Sequence, residues 1–89
     1  MEEMIERLTA LFSEAFPGSR CEIDTRGDTQ VGGFLIWDGF EGKTMEERHR
    51  LVWGLLRRRL THDEVISITA IFTQSENEFS IMLEESEAV

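Results

Sequence analysis

Residues 40–56, FEGKTMEERHRLVWGLL, combine a loop signal, the start of a helix and an unusual basic triplet. Gly42 can end a preceding strand. Thr44 is a good N-cap, because its hydroxyl can accept a hydrogen bond from an exposed amide at the helix start, and Glu47, three residues later, completes the signature of a capping box. The segment therefore predicts a helix that begins near Met45.

The predicted helix has one apolar face. At helical spacing this face contains Met45, His49, Val52, Trp53, Leu56 and Leu60. The charged residues lie mostly elsewhere, so the apolar face is expected to pack on a sheet, with Val52, Trp53 and Leu56 in the core. A histidine on such a face, here His49, is more often a structural residue than a base or a metal ligand.

The chain before this helix predicts a first helix followed by a hairpin. Residues 2–15 place apolar side chains on one helical stripe, which the Phe-Pro-Gly of residues 16–18 ends abruptly. Residues 20–25 alternate in character like a strand near an edge, and residues 26–29 form a turn. Residues 31–37 supply a second strand, whose glycine pair can mark a bulge.

The chain after the central helix predicts a strand and a final helix. Residues 61–63 are a connection to the strongest strand, residues 65–73, which is expected inside the sheet. Ser75 and Glu78 repeat the capping-box signature. A helix over residues 79–83 is therefore favoured over a returning hairpin strand.

The predicted order helix, strand, strand, helix, strand, helix gives an α+β sandwich, with helices packed on one face of a three-stranded mixed sheet. A chain of 89 residues can hold one packed core. We expect that core in a single domain, residues 1–83. The acidic residues 84–89 are expected to fray.

A family resemblance rests on the same central segment. The pattern F-x-G, a short spacer, R-H-R, then V-aromatic and a spaced Leu resembles the BolA family of small stress-response and iron–sulfur-associated proteins, and the likeness extends over roughly residues 31–79. The predicted order of elements is also that of BolA proteins, whose fold is class II KH-like. The resemblance implies a non-enzymatic regulatory or adaptor protein that docks on a monothiol glutaredoxin, with which family members share a 2Fe-2S cluster.

The cluster ligands that the resemblance implies are not in place. The family's ligand histidine lies in an I-H-A-L-type segment on the last strand, where this chain has I-T-A-I. Thr69 thus stands at the imidazole position, and a hydroxyl is a poor ligand for cluster iron. The second family ligand, a His or Cys in the loop between the first two strands, is missing from residues 26–30. His49 and Cys21 remain as weak candidates for a metal. The resemblance therefore implies no cofactor held by the chain alone, and a partner-binding surface made of Arg48, His49, Arg50 and Thr69.

The net charge of −9 is unevenly distributed. Residues 1–42 carry three basic and nine acidic side chains, residues 43–62 six basic and two acidic, and residues 63–89 no basic and seven acidic. The positive charge thus belongs to the central helix, where it can attract an anionic protein surface, whereas the acidic body opposes binding to a nucleic acid. The arginines at residues 57–59 also complement the negative end of the helix dipole.

Catalysis, secretion and membrane insertion find little support in the sequence. His49 and His62 lie in different settings and no Ser or Cys sits in a nucleophile motif, so no enzyme activity is expected. No apolar run approaches the roughly 20 residues needed to cross a bilayer. The N-terminus lacks the positive region of a secretory signal, and the single cysteine, Cys21, agrees with a reducing compartment. We expect a soluble cytoplasmic protein.

Two alternatives to the adaptor stay open. A KH-like nucleic-acid-binding transcriptional regulator would need basic residues and an accessible phosphate-binding loop, but the GXXG loop of KH domains is absent. A small interaction domain would instead form a homodimer through an exposed edge strand and the region of Trp37 and Phe40, unless both aromatics are core residues. The expected oligomeric state is a monomer or a weak homodimer.

Overall fold

Helices and strands follow one another along the chain nearly in the predicted order. The computed structural model describes residues 2–87. Its elements are α1 (Glu2–Ala15), β1 (Arg20–Arg26), β2 (Gln30–Ile36), a 3₁₀ turn (Asp38–Phe40), α2 (Met45–Arg59), α3 (His62–Ile66), β3 (Ile68–Gln74) and α4 (Glu76–Glu87). Within residues 2–87, none of the helices has both the length and the apolar run that crossing a membrane would require.

Capping boxes start the helices of the second half of the chain. At α2, the Thr44 hydroxyl accepts a hydrogen bond from the Glu47 amide at 3.1 Å, and the Glu47 carboxylate accepts one from the Thr44 amide at 2.9 Å. Each box satisfies two amides that would otherwise have no partner at a helix start. The boxes that start α3 and α4 consist of Thr61 with Glu64 and Ser75 with Glu78. The predicted starts of α2 and α4 are confirmed.

Helix α3 was not predicted, and it corrects the start of the last strand. Residues 61–63 were interpreted as a connection and Val65 as the first strand residue, but His62–Ile66 is helical and β3 begins at Ile68. The β-branched Val65 and Ile66 suggested a strand. The capping box of Thr61 stabilises a helical turn in front of them, and this local hydrogen bonding outweighs their strand propensity.

The sheet is mixed and its central strand is β2. Strands β1 and β2 form the predicted antiparallel hairpin, and β3 pairs parallel to β2 on the other side. The expectation that β1 lies at an edge is confirmed, but the expectation that β3 lies inside the sheet is wrong. The crossover through α2 and α3 returns the chain beside β2, whose other side is already occupied by β1, so β3 becomes an edge strand.

The pairing of β2 with β3 shifts register at one point. Val31 pairs with Ile68, whereas the next residue, Gly32, pairs with Ala70, so Thr69 is an extra residue of β3 with no partner in β2. This is the arrangement of a β-bulge. A bulge was predicted at the glycine pair, but the extra residue lies in β3 and not in β2.

The glycine pair of β2 allows three strands to approach closely. A Cβ atom at Gly32 would lie 2.9 Å from the Ala70 carbonyl oxygen, and one at Gly33 would lie 1.9 Å from the Glu22 carbonyl oxygen. Both contacts are shorter than a side chain tolerates. Glycine is therefore required here by backbone contact on both sides of the central strand.

The two faces of the sheet are covered differently. The core lies between one face and helices α1 and α2, and its buried members are Leu8, Leu11, Phe12, Phe16, Val31, Leu35, Phe40, Val52, Leu55, Leu56, Leu60 and Ile68. Neighbouring strand residues point to opposite faces, so Phe34 is on the side away from Leu35. The Phe34 ring lies 5.9 Å from the ring of Phe79 in α4. Helices α1 and α2 share one face as predicted, whereas α4 corrects the prediction, because its buried Phe79 packs on the other face.

The buried stripe of α2 differs from the predicted one. Val52 and Leu56 are buried as expected, but Arg48 and Leu55 complete the stripe. Met45 and His49, predicted on this face, are exposed, and Trp53 is half-buried. An arginine at the N-terminal end of the stripe hides the true period, because sequence patterns assign charged residues to solvent.

Phe40 is an interior residue, and the half-buried Trp37 packs against it. Phe40 is fully buried, and the Trp37 ring lies 5.2 Å from it and 4.9 Å from Phe16. The Trp37 indole nitrogen donates a hydrogen bond to the Pro17 carbonyl at 3.1 Å. These contacts weaken the alternative in which this region forms a homodimer interface.

Helix α4 reaches into the acidic end of the chain. It runs through Glu87, so residues 84–87 continue the helix, and residues 88–89 lie outside the described residues. The predicted fraying and the domain boundary after residue 83 stay predictions.

Candidate functional site

The three residues of the basic triplet point in three directions. Consecutive residues of a helix are about 100° apart around its axis. Arg48 is 3% exposed and points into the protein, His49 faces the edge strand β3, and Arg50 lies in solvent, where it pairs with Glu46 at 2.7 Å. The triplet therefore does not form one continuous surface.

Arg48 holds three parts of the chain together. Its guanidinium binds both carboxylate oxygens of Glu78 in α4, at 2.7 and 3.0 Å. It also donates to the Thr73 carbonyl at the end of β3, at 3.2 Å, and to the Lys43 carbonyl before α2, at 3.1 Å. The burial and contacts of Arg48 support a role in fixing the junction of helix and sheet, and not the partner contact that the resemblance implied.

The pairing with Arg48 strongly favours the ionised form of Glu78. The hydrogen bonds from Arg48, followed by the bond from the Ser75 amide, lower the pKa of Glu78 from 4.5 to about 2. The folded protein therefore binds a proton at this site more weakly than the unfolded chain does.

Acid is expected to remove this contribution to stability. Since the pKa is lower in the folded state, the stabilisation is fully present above about pH 4.5 and is lost as the pH falls towards 2. Urea denaturation of the wild type and of Glu78→Gln tests this. The difference in unfolding free energy should be largest at pH 6 and shrink at pH 3, and a difference independent of pH would contradict the assignment.

A groove of about 220 Å³ separates α2 from β3. It is lined by Met45, His49, Val52, Trp53, Ile71, Phe72, Thr73 and Gln74. Met45 is 64% exposed and Phe72 53% exposed, so the groove opens onto an apolar surface. The His49 ring lies 5.8 Å from the Trp53 ring. The His49 side chain is exposed, and among the hydrogen bonds of residues 2–87 none involves its imidazole.

Thr69 lies at the bulge of the same edge strand. Its side chain is exposed, two residues before Ile71 of the groove. Bulges often redirect a side chain at the edge of a sheet. His49 and Thr69 therefore both border the α2–β3 side of the protein, although Thr69 does not line the groove itself.

The two candidate metal ligands are not brought together. Cys21 is in β1, half-buried, with its sulfur 3.5 Å from the Thr9 hydroxyl of α1. His49 faces β3, and strand β2 separates β3 from β1, which places Cys21 about 10 Å or more from the strand that His49 faces. Within residues 2–87, no group of three His, Cys, Asp or Glu residues could hold a metal ion. The donor set does not fit a cluster bound in the manner that the resemblance implies.

Met45 and Phe72 are the members of this surface that the sequence analysis missed. Met45 was placed on the apolar helix face expected to pack on the sheet, and Phe72 on a strand expected inside the sheet. The sequence held a signal for both. Met45 lies a full turn or more before the predicted core residues of the helix, and Phe72 is an aromatic residue on a strand without charged residues. The edge position of β3 was needed to interpret it.

Comparison with known proteins gives matches among solved structures. No protein-family model and no curated protein matches the chain. A BolA protein homologue from Coxiella burnetii matches with a TM-score of 0.63 and 24% identity, over 84% of this chain and 94% of that one. BolA1 from Arabidopsis thaliana matches with a TM-score of 0.64 and 23% identity, over 88% and 98%. A bol-like protein from Babesia bovis matches with a TM-score of 0.59 and 17% identity, over 92% of each chain.

These structures share the architecture described above over nearly their whole length. The predicted fold class, α+β with a three-stranded mixed sheet, is confirmed, and the fold agrees with the one that the resemblance implied. At identities below 25%, the likeness concerns the fold, and function must be argued from the residues of this chain.

Proposed function

We propose that this chain, which has the fold of BolA proteins, is a non-enzymatic regulatory adaptor that docks on a monothiol glutaredoxin in the cytoplasm, in iron–sulfur or redox homeostasis. The observation that carries the proposal is the groove between α2 and β3. In this groove the exposed His49 of the R-H-R segment lies beside an uncharged edge strand.

The residues around the groove suit a protein partner. Methionine, aromatic residues and arginine are enriched at protein interfaces, and here exposed Met45 and Phe72 flank the half-buried Trp53. Arg50 lies on the outer side of the same helix. The groove thus supplies the apolar centre of such a surface, and Arg50 lies outside it.

The docking is proposed without a cluster ligand from this chain. Thr69 is exposed at the position where the resemblance implies a histidine, and Cys21 faces α1 from the opposite edge strand. A hydroxyl binds cluster iron poorly. The partner would therefore be recognised by its surface and not by a shared ligand set.

A catalytic role has little support from the described residues. Catalysis by a nucleophile needs a base within hydrogen-bond reach. Cys21 contacts the Thr9 hydroxyl, and the His49 ring packs near Trp53, so the two groups that could act as nucleophile and base are on different elements.

Titration with a monothiol glutaredoxin tests the proposal. Calorimetry with the cluster-free and the 2Fe-2S-loaded partner should give binding in both cases. Visible circular dichroism of the loaded partner should stay unchanged with the wild type and change with Thr69→His, which restores an imidazole. Absence of binding to both forms of the partner would reject the glutaredoxin role.

A matched pair of variants locates the docking surface. Met45→Glu places a charge at the groove and should weaken binding by about tenfold, close to 1.4 kcal/mol. Leu51→Glu makes the same change on another side of α2, beside Lys43 and Arg50, and should leave the affinity within about twofold. Equal losses in both variants would place the interface elsewhere.

A further inference from the structure

The C-terminal end of α2 and the start of α3 form a second groove, here called the cationic groove. It is lined by Arg57, Leu60, His62 and Val65, and its volume is about 420 Å³. Leu60 is buried and Val65 half-buried, whereas Arg57 and His62 are exposed. The groove thus has an aliphatic floor and a rim of basic side chains.

The arginines beside this groove lack the ion pairs that most others make. Within residues 2–87, four arginines make short ion pairs with glutamates: Arg7, Arg20, Arg48 and Arg50. Arg59 makes a longer one, at 3.7 Å to Glu14. Arg57 and Arg58 are exposed and, like Arg26 on β1, pair with no carboxylate in that part of the chain.

The helix dipole explains only part of this arrangement. Basic residues in the last turn of a helix interact favourably with its negative end. That interaction leaves the guanidinium donors free. The Arg58 side chain runs back along the helix towards Gly54. One of its guanidinium nitrogens would lie 3.8 Å from a Cβ atom placed on Gly54. Both side chains therefore present unsatisfied donors on the surface of an acidic protein.

We propose that the cationic groove binds a short acidic segment of a protein partner. One carboxylate of the segment would pair with Arg57 in the groove, and the next with Arg58, whose guanidinium lies outside the groove near Gly54, since guanidinium and carboxylate groups form paired hydrogen bonds. A neighbouring aliphatic side chain would cover Leu60 and Val65. The inference goes beyond docking on a glutaredoxin, because the two grooves are separate.

The distribution of charge on this protein favours a short acidic segment over a long one. The chain carries a net charge of −9 although residues 43–62 are positive. Attraction to this local positive charge extends about one Debye length, roughly 8 Å at physiological salt. A longer polyanion would meet the acidic remainder of the protein, so the groove favours a short run of carboxylates over a nucleic acid.

The position of the groove gives the chain two separate surfaces on one helix. His49 of the first groove and Arg57 of the second are eight residues apart, which is about 12 Å along the axis of α2. A partner could occupy one surface while a second partner occupies the other. This is the geometry that an adaptor requires.

Fluorescence anisotropy with labelled peptides tests the inference on the full chain. The probe is a short peptide in which a leucine precedes a run of glutamates, compared with the same peptide carrying lysines. The glutamate peptide should bind and the lysine peptide should not. No binding of the glutamate peptide, or tighter binding of a single-stranded oligonucleotide with the same number of charges, would overturn the proposal.

Two double variants of equal charge separate a site from a general field. Arg57→Glu with Arg58→Glu should weaken peptide binding by about tenfold or more. Arg26→Glu with Lys43→Glu changes the net charge equally and should have an effect below about threefold. Equal losses of peptide affinity in the two double variants would overturn the proposal that the cationic groove is the binding site. Far-ultraviolet circular dichroism checks the fold, and unchanged glutaredoxin affinity in the first variant keeps this test independent of the proposed docking.

Discussion

Arg48→Ala is expected to lower the free energy of unfolding by about 3 kcal/mol. The change leaves the Glu78 carboxylate without its bidentate partner and removes the donor from the carbonyls of Thr73 and Lys43. Loss of one member of a buried ion pair costs about 3 to 5 kcal/mol. The lower figure applies because the Glu78 side chain is 41% exposed and water can solvate part of its charge.

Arg50→Ala is the matched control for this measurement. Arg50 is two residues away on the same helix and pairs with Glu46 entirely in solvent. Exposed pairs of this spacing are worth about 0.3 to 0.5 kcal/mol. Urea denaturation of both variants at neutral pH compares them. Similar small losses in the two variants would show that Arg48 does not fix the junction of α2, β3 and α4.

Leu56→Ala is expected to cost about 2 to 5 kcal/mol of unfolding free energy. Leu56 is 0% exposed and lies in the core between α1, α2 and the sheet. The substitution removes buried methyl groups and leaves a cavity that the rigid sheet cannot fully close. Equilibrium denaturation in urea gives the loss directly, provided that the slope of the transition is unchanged.

The same substitution at Leu51 distinguishes burial from helix propensity. Leu51 is on the same helix but 43% exposed, so Leu51→Ala should change stability by no more than about 0.5 kcal/mol. Alanine is a better helix former than leucine, and this acts equally at both positions. A large loss in Leu51→Ala would mean that the two sides of α2 are assigned wrongly.

Local hydrogen bonding made much of the fold predictable. The start of α2 follows from Thr44 and Glu47, and α4 follows from Ser75 and Glu78, because each box uses residues three apart. The same signature at Thr61 could have revealed α3. It was overlooked because the β-branched residues behind it favoured a strand.

Features that depend on residues far apart in the sequence could not be predicted from local sequence patterns. The burial of Arg48 depends on Glu78, thirty residues away, and no periodicity connects the two. The edge position of β3 depends on how the crossover returns to the sheet. His49, Arg50 and Thr69 were predicted as parts of one surface, and the structure separates them into a groove wall, a solvent-exposed residue and a bulge.

The two edge strands of the sheet differ in the features that hinder pairing with a strand of another chain. Strand β1 carries four charged residues, and β3 carries none. Uncharged edge strands are templates for aggregation. The Gln74 carbonyl accepts a hydrogen bond from the Trp37 amide, which follows β2. Carbonyls of neighbouring strand residues point in opposite directions, so the Thr73 carbonyl points away from β2, to the open edge of the sheet. There the Arg48 guanidinium donates a hydrogen bond to it.

Together with the bulge at Thr69, this contact interrupts both ends of the open backbone of β3. A second chain could then form only a short ladder there. Arg48 thus has a consequence apart from rigidity. We expect it also to limit the pairing of one copy of this protein with another along the uncharged edge strand β3.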